Sequence, residues 1–278
     1  MTTQYGPWHA ELEGRVAHVV IDHPPLQLVD GALLVGLRDM LDAFDASPPG
    51  AVVLTSADPD FFLMHGDVET LLAVPAGTHQ PVAEPNVAAA TFERLRQAPY
   101  VTIGVLDGAA RGGGAELLTA LDLRIGTPRA VLGQPEVAMG ILPGAGGTTR
   151  LPHLLGRGRA LDVILTGRDV QADEALAIGW LDAVVDHTGA VAYATAIAER
   201  IASMPPAGIA AVKRVVAASL QAGVAAGLVA ETNALGELMA AGAHVEPMRR
   251  YLAAGGQTRA AETVDTAPLI EAMVQGAG

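Results

Sequence analysis

Hydrophobic and polar residues alternate in two short runs at the start of the chain, Trp8-His-Ala-Glu-Leu-Glu and Arg15-Val-Ala-His-Val-Val-Ile-Asp. They flank Glu13-Gly14, and the pattern predicts a β-hairpin. The period then changes. Leu33, Leu34, Leu37, Leu41 and Phe44 mark one face of a helix over residues 31–46, with Asp30 as its N-cap and Pro48-Pro49 as its stop. Short apolar runs at 51–56, 100–108, 121–127 and 130–133 read as strands, with helical patterns between them. Such alternation predicts an α/β layer architecture. Between Val74 and Ala90, Pro75, Gly77, Pro81 and Pro85 interrupt any periodicity, which predicts a long loop of the kind used as a lid or left disordered. From Gly189 onward the sequence is helix-compatible, in segments 190–203, 207–222 and 226–241 with a break at Pro205-Pro206. No internal repeat and no low-complexity tail is visible.

Composition narrows the picture. Half of the 278 residues are hydrophobic but only 4% are aromatic, so the core must be packed largely with Ala, Val and Leu. There is no cysteine, which removes disulfides and thiolate metal sites and gives no sign of an oxidising compartment. The formal net charge of −13 argues against nucleic acid or an anionic membrane as partner. The N-terminal residues lack the basic and apolar regions of a secretory signal. The longest uncharged stretch, Val215 to Ala230, falls short of the roughly 20 residues a spanning helix needs. These features place the protein in the cytoplasm.

Three stretches carry candidate chemistry. In RGGGAELL, residues 111–118, three glycines stand between a predicted strand and a helix expected from near Gly114. Glycines there let a ligand approach the backbone, and free N–H groups at the helix start can stabilise a developing oxyanion. Glu116 falls in the first turn beside them. The plainer alternative is a tight strand–helix turn with a solvated glutamate. In VLGQPEVAMGIL, Glu136 follows Gln134-Pro135 among apolar neighbours. A carboxylate in that setting has a raised pKa suited to acid–base work, although a lone exposed turn glutamate would look similar. Two such carboxylates can share one water, one accepting its proton while the other donates. In FFLMHGDVETL, residues 61–71, the loop at Met64-His65-Gly66-Asp67 again precedes a helix and offers backbone N–H groups. His65 is an acid–base candidate whose alternative is a solvated or hydrogen-bonded turn residue.

GAGGTTR, residues 144–150, is not a nucleotide loop. It lacks the Gly-Lys-Ser/Thr ending of a P-loop and has Thr149 where the dinucleotide fingerprint requires glycine. It reads as a glycine-rich turn feeding a helix from about Thr148. There is no GxSxG and no HExxH, and the eight histidines are scattered, so no metal site is expected.

Taken together, GGGAE, Gly-Gln-Pro-Glu and Pro-Gly-Ala-Gly-Gly-Thr make the chain resemble the crotonase superfamily, the enoyl-CoA hydratase/isomerase family, over roughly residues 10–190. The resemblance implies a ββα spiral core over residues 1–203 and a helical C-terminal oligomerisation region over 204–278, forming a homotrimer or a hexamer. It implies an acyl-CoA thioester substrate and no separate cofactor, coenzyme A being part of the substrate. It maps the oxyanion hole onto the N–H groups of Met64 and Gly113, and the catalytic pair onto Glu116 as base and Glu136 as acid. It sets His65, Gly66, Asp67, Gly112, Gly114, Pro143 and Gly144 around the substrate. The reaction implied is syn addition of water to a 2-enoyl-CoA. The alternatives are double-bond isomerisation or other acyl-CoA chemistry such as thioester hydrolysis or C–C cleavage, and a non-catalytic acyl-CoA-binding paralogue. Carrying both glutamates favours hydration. Met64 and His65 in place of small residues, Arg111 where apolar residues are common and Asp107 where Asn is common depart from the family pattern and leave the acyl group open.

Overall fold

The fold is described from a computed structural model covering residues 2–75, 77, 81–263 and 267–274. The chain divides into two compact units, residues 1–199 and 200–278.

The first unit begins with β1 (Thr2–Tyr5), β2 (Trp8–Glu13) and β3 (Val16–Ile21), an antiparallel meander. The expected hairpin is β2–β3, turning through Gly14 in the left-handed region (φ 57°). Helix α1 (Gly31–Ala46) follows, and Asp30 caps it by accepting from the Leu33 N–H at 2.9 Å. Its buried face is Leu33, Gly36, Leu37, Met40 and Leu41; of the predicted stripe, Leu34 and Phe44 are only half-buried against the core.

The chain then repeats one pattern. β4 (Ala51–Ser56) is followed by β5 (Phe61–Leu63), α2 (Val68–Leu72) and α3 (Val87–Gln97). β6 (Val101–Leu106) is followed by β7 (Ala109–Arg111) and α4 (Gly113–Leu118). β8 (Leu123–Gly126) is followed by β9 (Val131–Gly133), a 3₁₀ turn at Glu136–Met139, and the helices α5 (Gly147–Leu155) and α6 (Arg157–Thr166). β10 (Val170–Gln171), α7 (Ala172–Ile178), β11 (Ala183–Val184) and α8 (Ala190–Ala202) follow.

Among the described residues the strands form two sheets. The larger has the order β1-β2-β3-β4-β6-β8-β11 and is parallel from β3 onward. The smaller has the order β10-β9-β7-β5, with β5, β7 and β9 parallel. Each turn therefore places its first strand in the large sheet and its second in the small one, which is the ββα spiral. The register of the small sheet, Leu63 with Ala110 and Arg111 with Gly133, brings three loops to one edge. These are the loops that carry residues 64–67, 112–113 and 134–136. In open α/β sheets ligands bind at the carboxyl ends of the parallel strands, and these loops sit there.

The expected loop from Val74 to Ala90 is shorter than the sequence suggested. Asn86 accepts from the Ala89 N–H at 2.9 Å and starts α3 at Val87, an N-cap that the prolines upstream obscured. Residues 76 and 78–80 of that loop lie outside the described residues, as do residues 264–266 of the C-terminal segment. The helix expected from Thr148 begins one residue earlier, at Gly147.

In the second unit, α9 (Pro206–Ala222) and α10 (Val224–Ala240) are joined at Gly223, whose φ of 83° reverses the chain. They approach closely at Gly227, where a β-carbon would lie 2.7 Å from Ser219 Cβ. α11 (Val245–Ala253), α12 (Arg259–Glu262) and α13 (Ala267–Val274) complete it, with Arg250 Nη2 donating to Met273 O at 2.8 Å. Among the described residues no helix is long and apolar enough to cross a membrane.

The tightest contact between the two kinds of element lies beside the glycine triplet. A β-carbon at Gly114 would sit 1.8 Å from Leu63 O, and the Gly114 N–H donates to Met64 O at 2.9 Å. Gly114→Ala must push α4 off β5. The expected outcome is a loss of about 3 kcal/mol in urea unfolding, the upper end for overpacking. A full urea midpoint would show that α4 is not seated by this contact.

Candidate active site

The loop after β5 is held by the segment 27–29, in which Val29 forms a parallel bridge with Gly66. Gln27 is fully buried with a left-handed backbone (φ 53°), and its side chain donates to Ile21 O at 3.0 Å and Ser56 Oγ at 2.9 Å. Its Oε1 accepts from the His23 N–H. Fixed in this way, the segment accepts the Met64 N–H on Gln27 O (2.8 Å) and the Asp67 N–H on Val29 O (3.2 Å), while the Val29 N–H donates to His65 O (3.0 Å).

This pairing corrects one expectation. The Met64 N–H is already spent on Gln27 O, and Met64 does not line the cleft, so it is not an oxyanion donor. Gly66 has its N–H on the opposite edge, 3.5 Å from the point a β-carbon on Gly113 would occupy. The N–H groups of Gly66 and Gly113 have no acceptor among the described residues, and both residues line the cleft. Which N–H a neighbouring segment consumes is a tertiary fact. In the sequence Gly66 stands directly before Asp67, the cap of α2 that accepts from the Glu69 N–H, but that position alone does not tell whether its N–H is free.

The glycine triplet divides its work. Gly112 has φ 54°, and a β-carbon there would fall 2.8 Å from Glu136 Oε1 and 2.9 Å from His65 Cβ, so only glycine fits. Gly113 presents its N–H, and Gly114 seats the helix. Gly112 and Gly114 shape the site without lining the cleft. Pro143 does the same: its carbonyl accepts from Thr148 Oγ1 at 3.0 Å. Gly144, His65 and Asp67 do line it. His65 Nδ1 lies 3.0 Å from Gly66 O, and donating there leaves Nε2 as an acceptor in the cleft.

Glu116 stands in the first turn of α4, only 3% exposed. Its Oε1 accepts two backbone N–H groups, from Ala145 at 2.7 Å and Gly147 at 2.8 Å. Burial raises its pKa, while these two donors and the Arg150 charge act in the opposite direction. The glycine-rich stretch 144–147 is thus a clamp for this carboxylate, a role the sequence did not reveal.

Glu136 opens the 3₁₀ turn after β9 and is 6% exposed. Burial pushes its pKa up to about 7; its own backbone N–H lowers it and the Glu116 charge adds to the rise. The buried Gln134, with its amide nitrogen turned to the carboxylate, donates to Oε2 at 3.1 Å and Oε1 at 3.2 Å.

Both carboxylates face a cleft of about 620 Å³. Its walls are mostly apolar: Val29, Leu71, Val87, Met139, Ile141 and Leu142. Arg38 of α1, an exposed cation that sequence reasoning did not assign, also lines it. Arg111 is tied to Asp169 by two hydrogen bonds of 2.8 and 2.7 Å. Asp107 accepts from Thr127 Oγ1 at 2.6 Å. Among the described residues no group of three or more His, Cys, Asp and Glu side chains is arranged to hold a metal ion.

Residues 11–255 match the sequence model of the enoyl-CoA hydratase/isomerase family. The chain is similar to a crystal structure of enoyl-CoA hydratase from Bacillus anthracis, with 28% identity, a TM-score of 0.81, and coverage of 88% of this chain and 95% of that one. It is similar to DspI of Pseudomonas aeruginosa, with 30% identity, a TM-score of 0.80, and coverage of 90% and 95%. Enoyl-CoA hydratase from Thermoplasma volcanium GSS1 is 27% identical, with a TM-score of 0.75 and coverage of 84% and 93%.

The burial of Glu136 has a pH signature. Its pKa is 4.5 ordinarily and about 7 in the folded protein, so the folded state binds the proton more tightly. Its contribution to stability is present below about pH 4.5, falls as pH rises, and is gone above about pH 7. Glu136→Gln should therefore leave stability unchanged near pH 4 and raise it by about 3 kcal/mol near pH 8. Urea unfolding at the two pH values checks this, and equal effects at both would rule out a buried, proton-retaining Glu136.

Proposed function

The chain belongs to the enoyl-CoA hydratase/isomerase family, and from that premise we propose that it adds water across the double bond of a 2-enoyl-CoA to give a 3-hydroxyacyl-CoA. The observation that carries this reading is the pair Glu116 and Glu136 facing one cleft in unequal environments. The thioester oxygen accepts from the N–H groups of Gly66 and Gly113, which draws electrons from the β-carbon and stabilises the enolate-like transition state. One water binds between the carboxylates. Glu116, with Oε1 committed to its clamp, takes the water's proton on Oε2 as the oxygen bonds to the β-carbon. Glu136 gives its own proton to the α-carbon. The added oxygen and hydrogen arrive from the same side, so the addition is syn. The proton gained by Glu116 and the one lost by Glu136 balance, and exchange restores the pair.

A shift of the double bond needs mainly one carboxylate, so the retention of both favours hydration. Arg38 is read as a contact for the negatively charged coenzyme A moiety, and the apolar walls as the acyl subsite. Exposed Val212, Val216 and Leu220, four residues apart along α9, support burial of this helix face between copies, in a homotrimer or a dimer of trimers.

The test is loss of the enoyl-thioester absorbance with crotonyl-CoA and longer 2-enoyl-CoAs. Glu116→Gln and Glu136→Gln should each lower kcat by about 10²- to 10⁴-fold, the worth of a positioned acid or base. No turnover by the unaltered protein at any chain length would sink hydration. Arg38→Ala should raise KM about fivefold with kcat unchanged, as expected for an exposed charge that binds substrate and transition state alike. A fall in kcat instead would move Arg38 into the chemistry.

A further inference from the structure

We propose that Arg150 is a positioning residue for Glu116: its guanidinium braces the 145–147 loop that clamps the carboxylate, and Glu93 sets how much of its charge Glu116 feels. The inference rests on the hydration reading, in which Glu116 is the base.

Arg150 lies in the first turn of α5, and its side chain runs back over the turn that begins the helix. Its Nη1 donates to Ala145 O at 3.0 Å. Gly146 has φ 116°, and a β-carbon there would sit 1.8 Å from Nη1, so the guanidinium lies against the bare backbone of Gly146. Backbone groups of one short loop are held by both side chains. The N–H groups of Ala145 and Gly147 point to Glu116 Oε1, and the carbonyl of Ala145 points to Arg150. The 145–146 peptide, whose carbonyl Arg150 holds, lies between the two peptides whose N–H groups hold Glu116.

The charge of Arg150 is only partly matched. Its side chain is 12% exposed, and the nearest anion, Glu93 Oε2 on α3, is 3.7 Å away. Glu93 is held more closely by others: Arg96 donates to it at 2.7 and 2.9 Å, and Gln97 at 2.7 Å. Positive charge in a buried setting favours the ionised form of a neighbouring carboxylate, and Arg150 acts in that direction on Glu116, alongside the larger effect of the two backbone donors. The other titratable or charged groups around Glu116 are Glu136 from the 3₁₀ turn, His65 in the loop after β5, and Glu93 with Arg96 from α3 behind Arg150. α3 is also fastened to the clamp loop by Asn86 Nδ2, which donates to Gly144 O at 2.8 Å. The arrangement favours ionised Glu116 over ionised Glu136.

The experiment is a ¹³C titration of the Glu116 carboxyl in glutamate-labelled protein carrying Glu136→Gln, so that one carboxylate of the pair titrates alone. Arg150→Met should raise the Glu116 midpoint by about one pH unit. Glu93→Gln should lower it, because Arg150 and Arg96 then lose their counter-charge. Arg150→Lys should restore the midpoint in part, since lysine keeps the charge but not the planar fork. In protein with Glu136 intact, the acid limb of the kcat profile on a 2-enoyl-CoA should move in the same two opposite directions with KM little changed. Movement of both midpoints in one direction, or of neither, overturns the inference. If Arg150→Met fails to fold, Glu93→Gln decides alone: a lower midpoint supports the coupling, and an unchanged or higher one refutes it. Opposed midpoints in a protein that turns over no enoyl-CoA would uphold the coupling and sink the hydration reading.

Discussion

A carboxylate sealed from water depends on what replaces the water. Glu116 is 3% exposed, and the effective cost of burying such a charge is several kcal/mol. Two charge-assisted hydrogen bonds from the Ala145 and Gly147 N–H groups offset it, both on Oε1. Committing one oxygen to the backbone leaves the other for chemistry and fixes its direction. The demand spreads outward. Gly147 must be small, because a β-carbon there would meet Pro143 Cβ at 2.7 Å and Glu116 Cγ at 3.1 Å. Gly146 must be glycine for its positive φ and for the guanidinium resting on it. The glycines at 146 and 147 answer to Glu116 as much as those at 112–114 do.

The topology explains why residues far apart in the chain meet. Each spiral turn sends its second strand to the small sheet, and β5, β7 and β9 lie parallel and adjacent. Parallel neighbours end on the same edge. The segments after them therefore converge on one cleft: Gly66 brings an N–H, Gly113 and Glu116 an N–H and a carboxylate, and Glu136 a second carboxylate. β5, β7 and β9 are three residues each, long enough to set register and too short to do more.

That brevity limited what the sequence could disclose. The β2–β3 hairpin, α1 with its Asp30 cap, β4 and the C-terminal helices follow from periodicity and punctuation, and the structure has them within a few residues. Three-residue strands carry no readable period, so β5 and β7 were not visible on their own. Glu116 was legible from the glycine triplet before it, Glu136 from its apolar neighbours, and their roles from the family resemblance. The donor opposite Gly113 was not legible, since an N–H is free or spent according to a partner elsewhere in the chain. Gln27 O takes the Met64 N–H, and nothing in FFLMHGDV announces it. Arg150 was equally silent: in GAGGTTR it looks like a helix residue, and its contact with Ala145 O appears only once Gly146 turns left-handed.

Two like carboxylates in one cleft must be made unlike before one can serve as base and the other as acid. Their mutual repulsion ensures that one ionises first, but not which. The surroundings decide. Burial raises the pKa of Glu116, but two backbone donors and the Arg150 charge act against that rise and favour its charged form. Glu136 is raised to about 7 by burial and by the charge of Glu116 itself. The charge of Glu116 thus helps hold the proton on Glu136, which in the proposed hydration is the proton delivered to the α-carbon. Gln134 facing both oxygens of Glu136 limits how far that rise can go, which keeps the proton transferable. A pKa close to the working pH is the condition for efficient general acid catalysis. The asymmetry is built largely from backbone: the N–H groups of residues 145 and 147 on one side, and the buried 3₁₀ turn at 136 on the other.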